Sequence, residues 1–176
     1  KNTNLSLAKL PIFDLKSRKM KIKLLAIGKT DDSALISLIS RYQDRLQHYV
    51  SFDLDILPDL KQVKNMSESE QKIKEGSLIQ KQLKPGDFVC LLDERGREFN
   101  SVDFSKYLQK RMNSGLKRLV FVIGGPYGFS EEIYKIAQGK ISMSQMTFSH
   151  QMIRLFAVEQ IYRGFTILKN EPYHHR

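Results

Sequence analysis

Three features of the sequence predict an α/β fold with a mostly parallel sheet and helices on both faces. Strand-like and helix-like patterns alternate from residue 20 to the end, the order that βα units require. Two apolar runs, at 88–92 and 119–123, are continuous rather than alternating, as in strands buried on both faces. The second run stops abruptly at Gly124-Gly125-Pro126-Tyr127-Gly128. In open α/β sheets, ligands bind in such loops, at the carboxyl ends of strands.

The elements follow in order. Residues 21–27 form a first strand, closed by Gly28. Asp31 or Asp32 offers an N-cap oxygen to a helix whose apolar stripe is Leu35, Leu38, Ile39, Tyr42, Leu46 and Tyr49. Phe52, Leu54 and Ile56 alternate with Asp53 and Asp55, a strand with one wet face. After a loop at 58–66, Ser67 and Glu70 make a capping box for a helix to about residue 83. Gly76 weakens that helix by about 1 kcal/mol relative to alanine. Pro85-Gly86-Asp87 turns into the strand at 88–92, which Asp93-Glu94-Arg95-Gly96 ends. Ser101 caps a helix with Phe104, Tyr107, Leu108 and Met112 inward, and Gly115 stops it. Beyond the glycine loop come a short helix from Ser130, a brief strand at 141–143, a Ser/Thr-rich turn and a long helix from about His150.

In that last helix Met152, Ile153, Leu155, Phe156, Val158, Ile161, Tyr162 and Phe165 point all round the axis. Such a helix must be covered on two sides. A second copy of the chain is the expected second cover, so a homodimer is expected. Residues 1–19 show no period and read as an upstream extension or leader. Leu10, Ile12, Phe13 and Leu15 would alternatively make them an ordered arm. Residues 20–176 read as one domain.

A composition 41% hydrophobic and 27% charged is that of a globular chain. No apolar run approaches the ~20 residues of a membrane span, so no membrane partner is expected. The single cysteine, Cys90, excludes an internal disulfide. Inside an apolar run it reads as a small buried hydrophobe in a reducing, cytoplasmic setting. The net charge is +10, of which residues 1–19 contribute +4, five Lys/Arg against one Asp. The remaining +6 favours a polyanionic partner such as RNA.

The glycine loop matches neither G-x-G-x-x-G nor Walker A, and no Lys-Ser/Thr follows it. A phosphate cradle and nucleotide hydrolysis are therefore disfavoured. Paired glycines still let a ligand approach the backbone closely; a tight turn without a ligand is the plainer alternative. Ser130 fits an N-cap, and no G-x-S-x-G elbow is present. The turn SMSQMTFS at 142–149 mixes hydroxyls with apolar side chains. Its backbone could read an adenine edge while Met143, Met146 and Phe148 cover the ring. His150 begins the last helix, and Arg154 follows four residues later on nearly the same face. Glu159 and Arg163 are i,i+4 partners, most simply a salt bridge. No metal set is read: Asp53 and Asp55 are solvated neighbours, and His174 and His175 point apart with no carboxylate between them. Tyr173 could stack on a base and Arg176 meet a phosphate.

Six segments resemble the ribosomal RNA large-subunit methyltransferase H family: MKIKLLAIGKT (20–30), LLDERG (91–96), FVIGGPYG (121–128), SMSQMTFSHQMIR (142–154), EQIYRG (159–164) and PYHHR (172–176). Two departures are mild. Phe148-Ser149-His150 stands where many members have an apolar residue, proline and histidine, and Gly164 replaces a usual alanine. The resemblance implies a SPOUT methyltransferase, with the C-terminal part of the sheet threaded into a trefoil knot that periodicity alone does not show. It implies a homodimer that transfers a methyl group from S-adenosylmethionine to N3 of a pseudouridine in 23S rRNA of the assembled ribosome. By the same resemblance the cofactor contacts fall on Leu92, Gly124, Met143, Ser144, Gln145, Met146, Thr147 and Phe148. The acceptor N3 must lose a proton, so a cationic or hydrogen-bond-donating group is needed beside the developing anion. His150, Arg154, Tyr173 and His174 are expected to supply it, the tail coming from a second copy. The proton acceptor stays open between these groups and water, and no metal is required.

Overall fold

Five parallel strands form one sheet in the order β2-β1-β4-β3-β5. In this computed structural model residues 20–61 and 63–174 are described. The extension or arm expected at 1–19, and the roles given to His175 and Arg176, lie outside them. The strands are β1 Lys21–Ile27, β2 Ser51–Leu57, β3 Asp87–Glu98, β4 Arg118–Ile123 and β5 Gly139–Ser142. The helices are α1 Ser33–Leu46, α2 Glu68–Gln80, α3 Ser101–Asn113, α4 Glu131–Ile136 and α5 Met152–Leu168. Both faces are covered, which is why β1 and β4 are apolar along nearly their whole length. One face packs Leu24, Phe121 and Ile123 under α1, α3 and α5. The other packs Leu25, Leu91, Val120 and Val122 under α2 and α4. Among the described residues no helix is long and apolar enough to cross a membrane.

Local signals set most boundaries. Asp32 accepts from the backbone N–H groups of Ala34 and Leu35 at the start of α1. The Ser67–Glu70 capping box closes in both directions. Ser130 caps α4. Four expectations need correction. Asn100, not Ser101, caps α3, accepting from Asp103 N at 2.8 Å; the Ser101 hydroxyl instead donates to Gln160 on α5. Ile56 is exposed rather than inward, and Leu57 takes the buried place. Asp55 is not merely solvated, because it pairs with Lys23 on β1. The fourth concerns Asp93-Glu94-Arg95-Gly96, which does not end β3. The strand steps out of register after Leu92 and pairs again, Arg97 with Ile141 and Glu98 with Ser142. A β-carbon on Gly96 would lie 2.4 Å from the Ile141 carbonyl carbon, so only glycine lets this crossing close.

The apolarity all round α5 is met largely within one chain. The helix packs against α1 through Tyr42, Tyr49, Tyr162 and Phe165. It packs against α3 at Gly164, where a β-carbon would lie 2.7 Å from Leu108 Cδ1. Gly164 thus serves a close helix approach as well as weakening its own helix. To reach this place the chain crosses from the edge strand β5 back to the centre of the other face. That return crossing is where the resemblance drawn from the sequence places the trefoil knot.

At the amino ends of β3 and β4, Asp87 and Arg118 form an ion pair with side chains only 5% and 14% exposed. Arg118 Nε donates to Asp87 at 2.6 Å, and the Lys84 backbone N–H donates at 2.7 Å. Burial would raise the Asp87 pKa, but these donors outweigh it and hold the carboxyl below its ordinary range. A depressed folded pKa stabilises the fold above the ordinary carboxylate range, and that stability is lost as pH falls through the folded value. Asp87→Asn is expected to cost about 3 kcal/mol in urea unfolding at neutral pH, because it strands a buried guanidinium. The difference from the parent chain narrows as the pH is lowered into the acid range.

Candidate functional site

Register brings the break in β3 after Leu92 level with the ends of β4 and β5. Leu92 of β3 pairs with Ile123 of β4 and also with Ile141 of β5. The loops that follow therefore leave the sheet side by side and enclose a cleft of about 560 Å³, a size typical of small-molecule sites. Its walls come from residues 92–95, 123–129, 142–144 and 146–150, with Lys72, Glu131, Tyr134 and Ile153. Leu92, Gly124, Met143, Ser144, Met146, Thr147 and Phe148 all line it, as does His150. Gln145, named with them from the sequence, points elsewhere and donates to Glu98 at 3.4 Å.

Each wall is held by specific bonds. In the turn after β5, the Ser142 hydroxyl donates to the Ser144 carbonyl at 2.8 Å, and Met146 N donates to Ser144 Oγ at 2.9 Å. The Phe148 ring rests 4.8 Å from that of Phe156 on α5. The Ser149 hydroxyl accepts from Met152 N at 3.2 Å, which ties the turn to the start of α5. In the glycine loop, Gly128 N donates to Gly125 O at 3.1 Å, and Gly128 has φ +79°, a conformation that favours glycine. Across the cleft, Asp93 accepts from Tyr134 OH at 2.5 Å and from Arg95 N at 2.8 Å. Burial and the neighbouring Asp93 push the Tyr134 phenol up to about 12. Tyr127 and Met146, at 47% and 76%, are among the most exposed large hydrophobic side chains, and both stand on the cleft wall. Exposed apolar groups around a recess are the usual mark of a ligand site.

The four residues expected to do chemistry do not come together. His150 is exposed on the cleft wall. Arg154 is fully buried and points away, donating to Thr30 Oγ1 at 2.6 Å and to the Ile27 carbonyl at 2.7 Å. The β1–α1 turn holds this guanidinium away from His150, and it does not line the cleft of its own chain. Tyr173 and His174 lie outside the cleft of their own chain. The Tyr173 hydroxyl donates to Glu159 at 3.0 Å and lies 3.0 Å from Tyr42 OH. Burial, Tyr42 and Glu159 together raise its pKa strongly. Arg163 holds the same Glu159 oxygen at 2.6 Å and stands 4.6 Å from the Tyr173 ring. The pair read as a simple helix salt bridge is thus the anchor of the tail. Asn170, at φ +56°, turns the chain into this position.

The chain matches the family described as predicted SPOUT methyltransferase over residues 20–174. It is 66% identical over 157 residues to the ribosomal RNA large subunit methyltransferase H of Christiangramia forsetii, covering 89% of this chain and all of that one. The protein of the same name from Flavobacterium johnsoniae is also 66% identical with the same coverage. That from Parabacteroides distasonis is 61% identical, covering 89% and 99%. Among solved structures, a probable methylase family protein from Haemophilus influenzae Rd KW20 aligns with a TM-score of 0.50 at 14% identity, over 88% of this chain and 70% of that one. That likeness is one of fold.

Proposed function

The chain belongs to the SPOUT methyltransferase family, and on that premise we propose that it transfers a methyl group from S-adenosylmethionine to N3 of a pseudouridine in 23S rRNA. The observation that carries the reading is the cleft that forms where the break in β3 lies in register with the ends of β4 and β5. Its lining fits the donor. Leu92, Ile123, Met143, Met146, Phe148 and Ile153 offer apolar cover for a purine and a thioether chain, while Ser144, Thr147 and the loop backbone offer polar contacts. When bound, S-adenosylmethionine supplies an electrophilic methyl group on a sulfonium.

The protein's own work is alignment and charge. The apolar walls exclude water, and holding both reactants in line accounts for roughly 7–11 kcal/mol of barrier reduction. The acceptor N3 must lose its proton. His150 stands on the cleft wall, so its imidazole is one group that can hold this proton. The Glu159 carboxylate, to which the Tyr173 phenol donates, is the other, and both lie outside the cleft of their own chain. A homodimer in which each copy lends its tail to the other's cleft joins the two halves, and half-buried α5 residues such as Met152, Leu155 and Phe156 remain for such an interface. The positive charge beyond residues 1–19 suits a ribosomal RNA partner in the cytoplasm.

Incubating ribosomes from cells lacking this protein with the purified chain and methyl-labelled S-adenosylmethionine tests the proposal. The expected result is one methyl group per ribosome, mapped by mass spectrometry to a pseudouridine base of 23S rRNA. Label in transfer RNA or on a ribose hydroxyl would refute the substrate, and no calorimetric binding of S-adenosylhomocysteine would refute the transferase.

A further inference from the structure

Beneath the glycine loop lies a carboxylate that none of this chemistry uses. Glu75, in α2, is 3% exposed. Its Oε1 accepts from Gln71 Nε2 at 2.9 Å, one turn earlier. Its Oε2 is buried with no hydrogen-bond partner among the described residues. Leaving a buried polar atom unpaired costs about 1–3 kcal/mol, and more where it carries charge. Burial raises the Glu75 pKa, and Asp59 nearby adds to the rise. For the fold alone, an apolar side chain of this size would be cheaper.

What the carboxylate touches is the loop. A β-carbon at position 125 would lie 2.3 Å from Oε2 and 2.5 Å from Oε1. Gly125 is not among the glycines with positive φ, so its backbone conformation does not demand glycine. The missing side chain is what matters, because it lets the loop rest directly on the carboxylate. The next residue of α2 repeats the contact. A β-carbon on Gly76 would lie 2.7 Å from Ser130 Oγ, at the far end of the same loop. From one turn before Glu75, Lys72 reaches the cleft wall. Helix α2 therefore supports the loop at both ends and borders the cleft as well.

We propose that Glu75 is a positioning residue of the methyl-donor site. Acting through Gly125, it sets the place of the glycine loop, and its free Oε2 accepts a loop N–H once the donor is bound. This rests on the reading of the cleft as a donor site.

Glu75→Gln keeps the shape and replaces an acceptor by a donor. Calorimetric titration with S-adenosylhomocysteine is expected to show affinity reduced about tenfold or more, the worth of one lost charged hydrogen bond. The KM for S-adenosylmethionine should rise in parallel while the KM for ribosomes stays unchanged. Thermal unfolding at neutral pH is expected at the parent temperature or above. Gly125→Ala alone should weaken binding as strongly, because its methyl group strikes the carboxylate. In a Glu75→Ala background, where that space is open, the same alanine should cost no further affinity. Parent-like donor affinity in Glu75→Gln overturns the proposal, and so does an equal effect of Gly125→Ala in both backgrounds. A Glu75→Gln chain that unfolds at lower temperature with unchanged affinity, or does not fold, assigns the carboxylate to the fold alone and also overturns it. If the parent chain itself fails to bind S-adenosylhomocysteine, the donor site falls first and the proposal with it.

Discussion

Deleting residues 173–176 is expected to lower methyl transfer to ribosomes by about a thousandfold, the scale of losing groups that stabilise developing charge. Affinity for S-adenosylhomocysteine should stay within about twofold, under half a kcal/mol. The separation follows from geometry. The donor cleft is walled entirely by residues that precede the tail. Tyr173 is instead bound to Glu159 and Tyr42, on a different part of the surface. Losing those bonds lowers the unfolding temperature by a few degrees, about 1 kcal/mol for a neutral hydrogen bond in a domain of this size. The chemistry suffers far more if the tail completes a second copy's site. A mixture of two defective chains decides this. One lacks residues 173–176. The other carries Gly124→Val, whose β-carbon would lie 3.1 Å from both the Gly128 carbonyl oxygen and the Phe129 ring, closing its own cleft. Each alone is expected to be inactive. Co-expressed, they form mixed dimers that pair one open cleft with one intact tail, and activity returns. A mixture as inactive as its components would show that the tail does not act across copies.

How far the sequence reveals this site depends on the range of the contacts. Residues 21–27 were readable as a strand to the residue, because apolar cover on both faces leaves a continuous run. The Ser67–Glu70 box and the Ser130 cap were readable because both partners lie within three residues. The continuation of β3 past Asp93 was not. A charged stretch ending in glycine looks like a turn, and only the distant Ile141 and Ser142 make it a strand. The donor loops were legible as loops, while their convergence depends on register between β3, β4 and β5. Glu75 gave no signal: a glutamate beside lysine and glycine reads as solvated helix surface until Gly125 is placed upon it. The tail cluster was half legible. Glu159 and Arg163 were visible as a pair, but Tyr173 joins them across fourteen residues.

Arg154 shows the same limit with a measurable consequence. Replacing it by alanine is expected to lower the unfolding free energy by about 3–5 kcal/mol, the loss of two hydrogen bonds from a charged donor at about 1.5–3 kcal/mol each. That corresponds to about 6–20 °C, at about 2–4 °C per kcal/mol for a domain of this size. Its guanidinium binds the last carbonyl of β1, at Ile27, and the Thr30 hydroxyl in the turn that follows. No carboxylate lies within ion-pair distance among the described residues; burial lowers its pKa, while the fields of Asp59 and Asp31 oppose that. Gly28 is wedged beside it at φ +87°, where a β-carbon would lie 2.5 Å from Asp59. The arginine therefore fastens the start of α5, and with it the turn that carries His150, to the end of β1. Lysine at this position keeps the charge and one donor direction, so Arg154→Lys should lose about half as much stability and keep turnover per folded molecule within about threefold. Thermal unfolding and single-turnover methylation on the same preparations separate the two roles. If Arg154→Ala unfolds at the parent temperature, binds S-adenosylhomocysteine normally and yet transfers methyl about a hundredfold more slowly, the guanidinium must leave this buried site during the reaction and act as the cationic group beside the acceptor base.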